Sequence, residues 1–208
     1  VLVDHALAVA LQQAAALLKA AGYTSTGVSI ALREPGLYGL ESADRGPGNN
    51  QPGAAAVLKT AGFSALETGA ALAAAEAYHV QDPQAAAAAL RTAGYASLDV
   101  AATLKAADLY HQDAAAAARL LRGAGYASVE TGQALAAVAG YGQDAGSGAR
   151  LLAGAGYTAV EAAQALHAPD VYNVQEPQAA AAALAAAGYH EAQVAQALRS
   201  VDGYGQTA

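Results

Sequence analysis

The sequence has no cysteine, no methionine and no tryptophan, and its single phenylalanine, Phe63, stands beside eleven tyrosines. Without cysteine there is no disulfide framework, no thiol nucleophile and no cysteine-ligated zinc, and the redox compartment is left open. Charge is scarce: 13% of residues carry it, the formal net charge is -7, and Lys and Arg nowhere cluster. That balance excludes a sequence-independent grip on nucleic acid. Long apolar runs are missing as well; none approaches the roughly 20 residues of a membrane-spanning helix. The first residues, Val1-Leu2-Val3-Asp4-His5, lack a basic segment and are interrupted by Asp4, which is not the pattern of a signal peptide. Because methionine is absent even at position 1, the sequence reads as a processed or excerpted piece of something longer.

What is abundant is alanine, about a third of the residues, and it is arranged periodically. Six glycines, Gly22, Gly62, Gly94, Gly125, Gly156 and Gly188, follow one another at spacings of 40, 32, 31, 31 and 32. Each is followed by an aromatic residue, Tyr23, Phe63, Tyr95, Tyr126, Tyr157 or Tyr189. Four residues before each glycine stands Leu18, Leu58, Leu90, Leu121, Leu152 or Leu184. Ten residues after it stands Leu32, Leu72, Leu104, Leu135, Leu166 or Leu198, and sixteen after it Tyr38, Tyr78, Tyr110, Tyr141, Tyr172 or Tyr204. A period near 32 with every column filled marks a stacked repeat array.

The columns have a local chemistry. A glycine just past a helix end enters the left-handed backbone region without steric cost, and the aromatic after it can close on the leucine one turn back. Lys19, Lys59, Arg91 and Arg122 in the last turn suit the negative end of the helix dipole. The next helix starts at once, with Ser64-x-x-Glu67 and Thr158-x-x-Glu161 as capping boxes and Ser97 and Ser128 read as further caps. The return loop is Tyr-His-Val-Gln-Asp or a shorter variant, and Asp82-Pro83 and Glu176-Pro177 open the following alanine-rich helix. The spacing therefore predicts an all-α fold, an α-solenoid of six helical hairpins with about 12 short helices. The hairpins fall at about 4–38, 52–78, 83–110, 113–141, 144–172 and 177–204, in one array over 1–208. The first repeat is longer because 41–52 forms an inserted loop rich in Gly, Pro and Asn. Helices this short are marginal alone, so stability must come from stacking, and the last unit reads as an open stacking face.

The expected function is a non-catalytic structural or scaffolding module, part of a larger or filamentous assembly, with an extracellular or cell-surface setting favoured. Its expected partners are itself or other protein subunits, packed end to end or laterally, with no cofactor. The alternative is a binding module for a glycan, a protein or calcium along the loop edge formed by Tyr78, Gln81, Tyr110, Gln112, Tyr141, Gln143, Tyr172 and Gln175. Loop contacts would come from Glu41, Asp44, Arg45, Asn49 and Asn50. Oxygen ligands for calcium would come from Glu76, Asp82, Asp108, Asp113, Asp170 and Glu176, although these lack the dense spacing of known calcium loops. His79 and His111 fall at equivalent loop positions but form no His-x-x-x-His pair. Gly46-Pro47-Gly48 lacks the Lys-Ser/Thr of a phosphate loop. No Ser or Thr has a base placed beside it by the sequence, and a repeating chain offers no unique catalytic constellation.

Overall fold

The computed structural model describes residues 2–40, 53–201 and 204. Among them the chain is all-α, with twelve helices and no strand. The helices are α1 (Leu2–Ala20), α2 (Ser25–Arg33), α3 (Ala54–Thr60), α4 (Ala65–Ala73), α5 (Pro83–Thr92) and α6 (Ser97–Lys105). They continue as α7 (Ala114–Gly123), α8 (Ser128–Ala136), α9 (Ala145–Ala155), α10 (Ala159–His167), α11 (Pro177–Ala186) and α12 (Glu191–Ser200). Two compact units, Val1–His111 and Gln112–Ala208, hold three hairpins each. Within each unit the first helix of a hairpin packs on the first helix of the next, as α7 on α9 and α9 on α11. The second helices stack in the same way, as α2 on α4 and α8 on α10. The loop expected at 41–52, with Glu41, Asp44, Arg45, Asn49 and Asn50, lies outside the described residues.

The turn inside every hairpin is a Schellman cap. The aromatic N–H donates to the leucine carbonyl five residues back, as Tyr95 to Leu90 at 3.1 Å and Tyr157 to Leu152 at 3.0 Å. The glycine N–H donates three residues back, as Gly94 to Arg91 at 2.8 Å. All six glycines hold φ between 85° and 94°, a region costly to residues with a Cβ. Asp82, Asp113 and Asp144 each accept a backbone N–H from the first turn of the following helix. Ser64 and Thr158 form the reciprocal capping boxes expected with Glu67 and Glu161. Hydrogen bonds from Ser64 hold the Glu67 carboxyl below its usual range.

Ser97 and Ser128 are not caps. The N-cap positions belong to Ala96 and Ala127, and the serines, one residue later, are the first helical residues and are buried. Ser25 occupies the same column and shows what that position does: its Oγ donates to the Glu67 carbonyl of the next hairpin at 2.7 Å.

Ten of the twelve column leucines are wholly buried; only Leu18 in the first hairpin and Leu198 in the last keep some exposure. Around them the core is mostly alanine, including Ala86, Ala87, Ala117, Ala118, Ala162 and Ala163, all without solvent contact. Burying a leucine contributes about 1.5–3 kcal/mol, and an alanine only about a third of that. The leucine columns therefore hold the hairpins together, while alanine lets the helix backbones approach.

Candidate functional site

The groups singled out in the sequence lie at the two turn edges of each unit, and both edges are built around tyrosine. At the Gly-aromatic edge, Tyr95 Oη donates to the Phe63 carbonyl of the preceding hairpin at 2.8 Å. Tyr157 does the same to Tyr126 at 2.8 Å, and Tyr189 to Tyr157 at 2.7 Å. Thr68 and Thr131 hydroxyls meet the Tyr95 and Tyr157 phenols at 2.7 and 2.8 Å. Basic residues return the contact in the other direction. Lys19 donates to the Gly62 carbonyl, Lys59 to Gly94, and Arg122 to Ala155 at 2.9 Å. Their cationic heads also stand over the rings of Phe63, Tyr95 and Tyr157. So the basic column does more than complement a helix dipole: within the units it ties the first hairpin to the second, the second to the third and the fourth to the fifth.

The opposite edge, the candidate recognition edge, forms a second ladder. Tyr78 Oη donates to the Leu40 carbonyl at 2.9 Å, Tyr110 to Val80 at 3.1 Å, Tyr141 to Gln112 at 3.0 Å and Tyr204 to Val174 at 2.9 Å. Three of the accepting residues are themselves fixed, since the N–H of Leu40, Val80 and Val174 donates back to the carbonyl of its own column leucine, and the Gln143 N–H does the same in a loop whose carbonyl receives no phenol. Gln112 and Gln143 thus take the backbone place that Val80 and Val174 fill in the longer loops. The glutamine side chains turn inward too: Gln81 donates to the Ala73 carbonyl, Gln143 to Tyr141 and Gln175 to His167.

Burial is the main reason the phenols are hard to ionise. It pushes Tyr110 and Tyr141 up to about 12, with the nearby Asp82 and Asp113 carboxylates adding to it. Tyr189 and Tyr204 also rise to about 12, and Tyr78, Tyr95, Tyr157 and Tyr172 are raised as well. A phenol held neutral is a hydrogen-bond donor, which is the role each carbonyl partner requires.

Tyr172 breaks the pattern, and one glycine explains it. Its Oη is buried with no hydrogen-bond partner. In the five other hairpins the helix facing this tyrosine column carries an alanine, Ala14, Ala54, Ala86, Ala117 or Ala180, where α9 has Gly148. Tyr172 fills the missing methyl's space, so a Cβ built on Gly148 would lie 2.0 Å from its Oη. Gly148→Ala is therefore expected to push the ring tip back to the Gln143 carbonyl and to stabilise the chain. Replacing a mid-helix glycine contributes about 0.5–1 kcal/mol and the recovered hydrogen bond about 1 kcal/mol. A urea titration of the variant checks this; a lower midpoint would mean that the ring cannot retreat.

The acidic residues have separate places. Asp82 and Asp113 cap helices, Glu176 occupies an N-cap position without a side-chain bond, and Asp170 accepts from Gln133 Nε2 of the preceding hairpin. Glu76 and Asp108 are exposed in the turns after α4 and α6. Among the described residues no three His, Asp or Glu side chains come close enough to hold a metal ion. His79, His111 and Asn173 share a backbone role that the residue pattern contained but that was not read from it. With φ of 53°, 50° and 52° they occupy the left-handed position that Gly39 and Gly142 fill in the first and fourth hairpins. Asn and His tolerate that region better than most residues, so the histidines need no ligand to account for them.

The surface depressions are open grooves, one of them lined by Ile30, Arg33, Glu34, Pro35 and Glu76. In that groove Arg33 is engaged, donating to the Ala77 carbonyl of the next hairpin. No helix among the described residues is long and apolar enough to cross a membrane. No family model, curated protein or solved structure matches the chain.

Proposed function

We propose that the chain is a non-catalytic scaffolding module that works as a segment of a larger protein assembly. The observation that carries this reading is where the polar chemistry goes. In column after column the phenol, hydroxyl or cation that would have to meet a substrate instead satisfies a backbone carbonyl of the neighbouring hairpin. A binding edge made of tyrosine hydroxyls would need those hydroxyls free. Here they serve as rungs, and the exposed surface between them carries alanine, glutamine, isolated carboxylates and the loop residues His79, His111 and Asn173. Such a surface suits a spacer or a packing element better than a selective pocket. The filamentous, cell-surface setting belongs to the same proposal.

Self-association tests it. Light scattering and negative-stain microscopy of the purified chain, up to about millimolar concentration, are expected to show assemblies larger than one chain. A well-behaved monomer over that whole range would sink the reading.

A further inference from the structure

The two ladders have a direction, and each loses a partner at the end hairpins. On the outward face of α1–α2, Tyr23 is 57% exposed, while Phe63, Tyr95 and Tyr157 in the same column are buried. Leu17 is 71% exposed, where its counterparts Val57 and Ala89 are buried; Leu37 is 67% exposed, where Ala77 is buried. Among the described residues the phenols of Tyr23 and Tyr38 make no hydrogen bond. On the outward face of α11–α12 the missing halves are of the opposite kind. The Tyr189 carbonyl accepts nothing among the described residues, whereas Phe63, Tyr126 and Tyr157 each accept a phenol from the next hairpin. Ala195 is exposed, although its column mates Ser29, Gly69, Gly132 and Ala163 are buried. Arg199 is exposed in the column of Arg33, whose guanidinium reaches the Ala77 carbonyl of the following hairpin.

We infer that the α1–α2 face docks onto the α11–α12 face of a second copy of this chain, repeating the hairpin-to-hairpin interface found inside each unit. Tyr23 Oη would donate to the second copy's Tyr189 carbonyl, as Tyr95 does to Phe63. Arg199 of that copy would donate to the Leu37 carbonyl, as Arg33 does to Ala77. Leu37 would lose its exposure against the small-residue column that ends in Ala195, as Val171 does beside Gly132, and Leu17 would lose its own against α11. Because the two faces differ, the contact is head-to-tail, and it leaves one face open on each copy, so growth does not stop at two. The inference rests on the scaffolding reading and specifies its partner.

Sedimentation velocity on three proteins tests it. The wild-type chain is expected to gain mass continuously with concentration. A head variant, Leu17→Glu with Leu37→Glu, and a tail variant, Ala195→Glu with Arg199→Glu, are each expected to self-associate at least tenfold more weakly. All four positions are exposed, so helical circular dichroism and melting midpoint should match wild type. An equimolar mixture of the two variants retains one matched pair of faces and is expected to give dimers and nothing larger. If both variants associate like wild type, the faces are wrong while the scaffolding reading stands. If the wild-type chain stays monomeric, both fall.

Discussion

Leu135→Ala is expected to lower the unfolding free energy by about 2–5 kcal/mol, toward the upper part of that range. Leu135 is wholly buried in a cluster with Leu152, Leu166 and the alanines Ala118, Ala149, Ala162, Ala163 and Ala165. Removing its side chain leaves a cavity, and the cost of a cavity depends on how far the surroundings can relax into it. Alanine has no rotamers with which to fill a gap, and helices already in close approach cannot move nearer without clashing elsewhere. Leu198 gives the control. It stands in the same column but is partly exposed in the last hairpin, so Leu198→Ala is expected to cost about 1 kcal/mol or less. Urea denaturation followed by circular dichroism measures both; equal losses at the two positions would refute the role given to stacking.

The second large effect is alkaline unfolding. Eight tyrosines, Tyr78, Tyr95, Tyr110, Tyr141, Tyr157, Tyr172, Tyr189 and Tyr204, have phenols raised above their ordinary value, chiefly by burial. In the unfolded chain these groups ionise near pH 10. In the folded chain Tyr110, Tyr141, Tyr189 and Tyr204 wait until about 12. Between those values the unfolded state has released protons that the folded state still binds. The stability linked to the neutral phenols is therefore complete below pH 10 and is lost as pH climbs toward 12. Solvent screening keeps each phenol's share well below the full linkage slope, but all eight act in one direction, and roughly 3–5 kcal/mol should go in total. Tyrosinate absorbance and helical circular dichroism, followed together from pH 9 to 12.5, should change in one step for these phenols. Full ionisation with the helices intact would show that the phenols are not enclosed.

The architecture was legible because the residues that end a helix are few. Only glycine suits φ near 90° at the Schellman position, so six Leu-x-x-x-Gly-aromatic segments disclosed six hairpins. The left-handed loop position was encoded too, as Gly39, His79, His111, Gly142 and Asn173, but histidine invites a chemical reading before a conformational one. The ladders were harder to foresee. A tyrosine every 31 or 32 residues, after a first interval of 40, shows that the position matters, yet which carbonyl its hydroxyl meets depends on how one hairpin sits on the next. The Tyr172 exception depends on a methyl missing from Gly148, 24 residues away in sequence, in α9, whereas Tyr172 lies in the turn after α10. Ser97 and Ser128 misled for a related reason: one residue of displacement turns a cap into a buried contact.

The central claim is that the tyrosines of the loop edge join hairpin to hairpin rather than wait for a ligand. It is tested most directly by the unfolding free energy of the combined Tyr78→Phe, Tyr110→Phe, Tyr141→Phe and Tyr204→Phe variant. The rings and their burial remain; only the four hydroxyls that reach the Leu40, Val80, Gln112 and Val174 carbonyls are gone. Each bond contributes about 0.5–1.5 kcal/mol, so a loss of roughly 2–6 kcal/mol is predicted. A variant as stable as wild type would contradict the account.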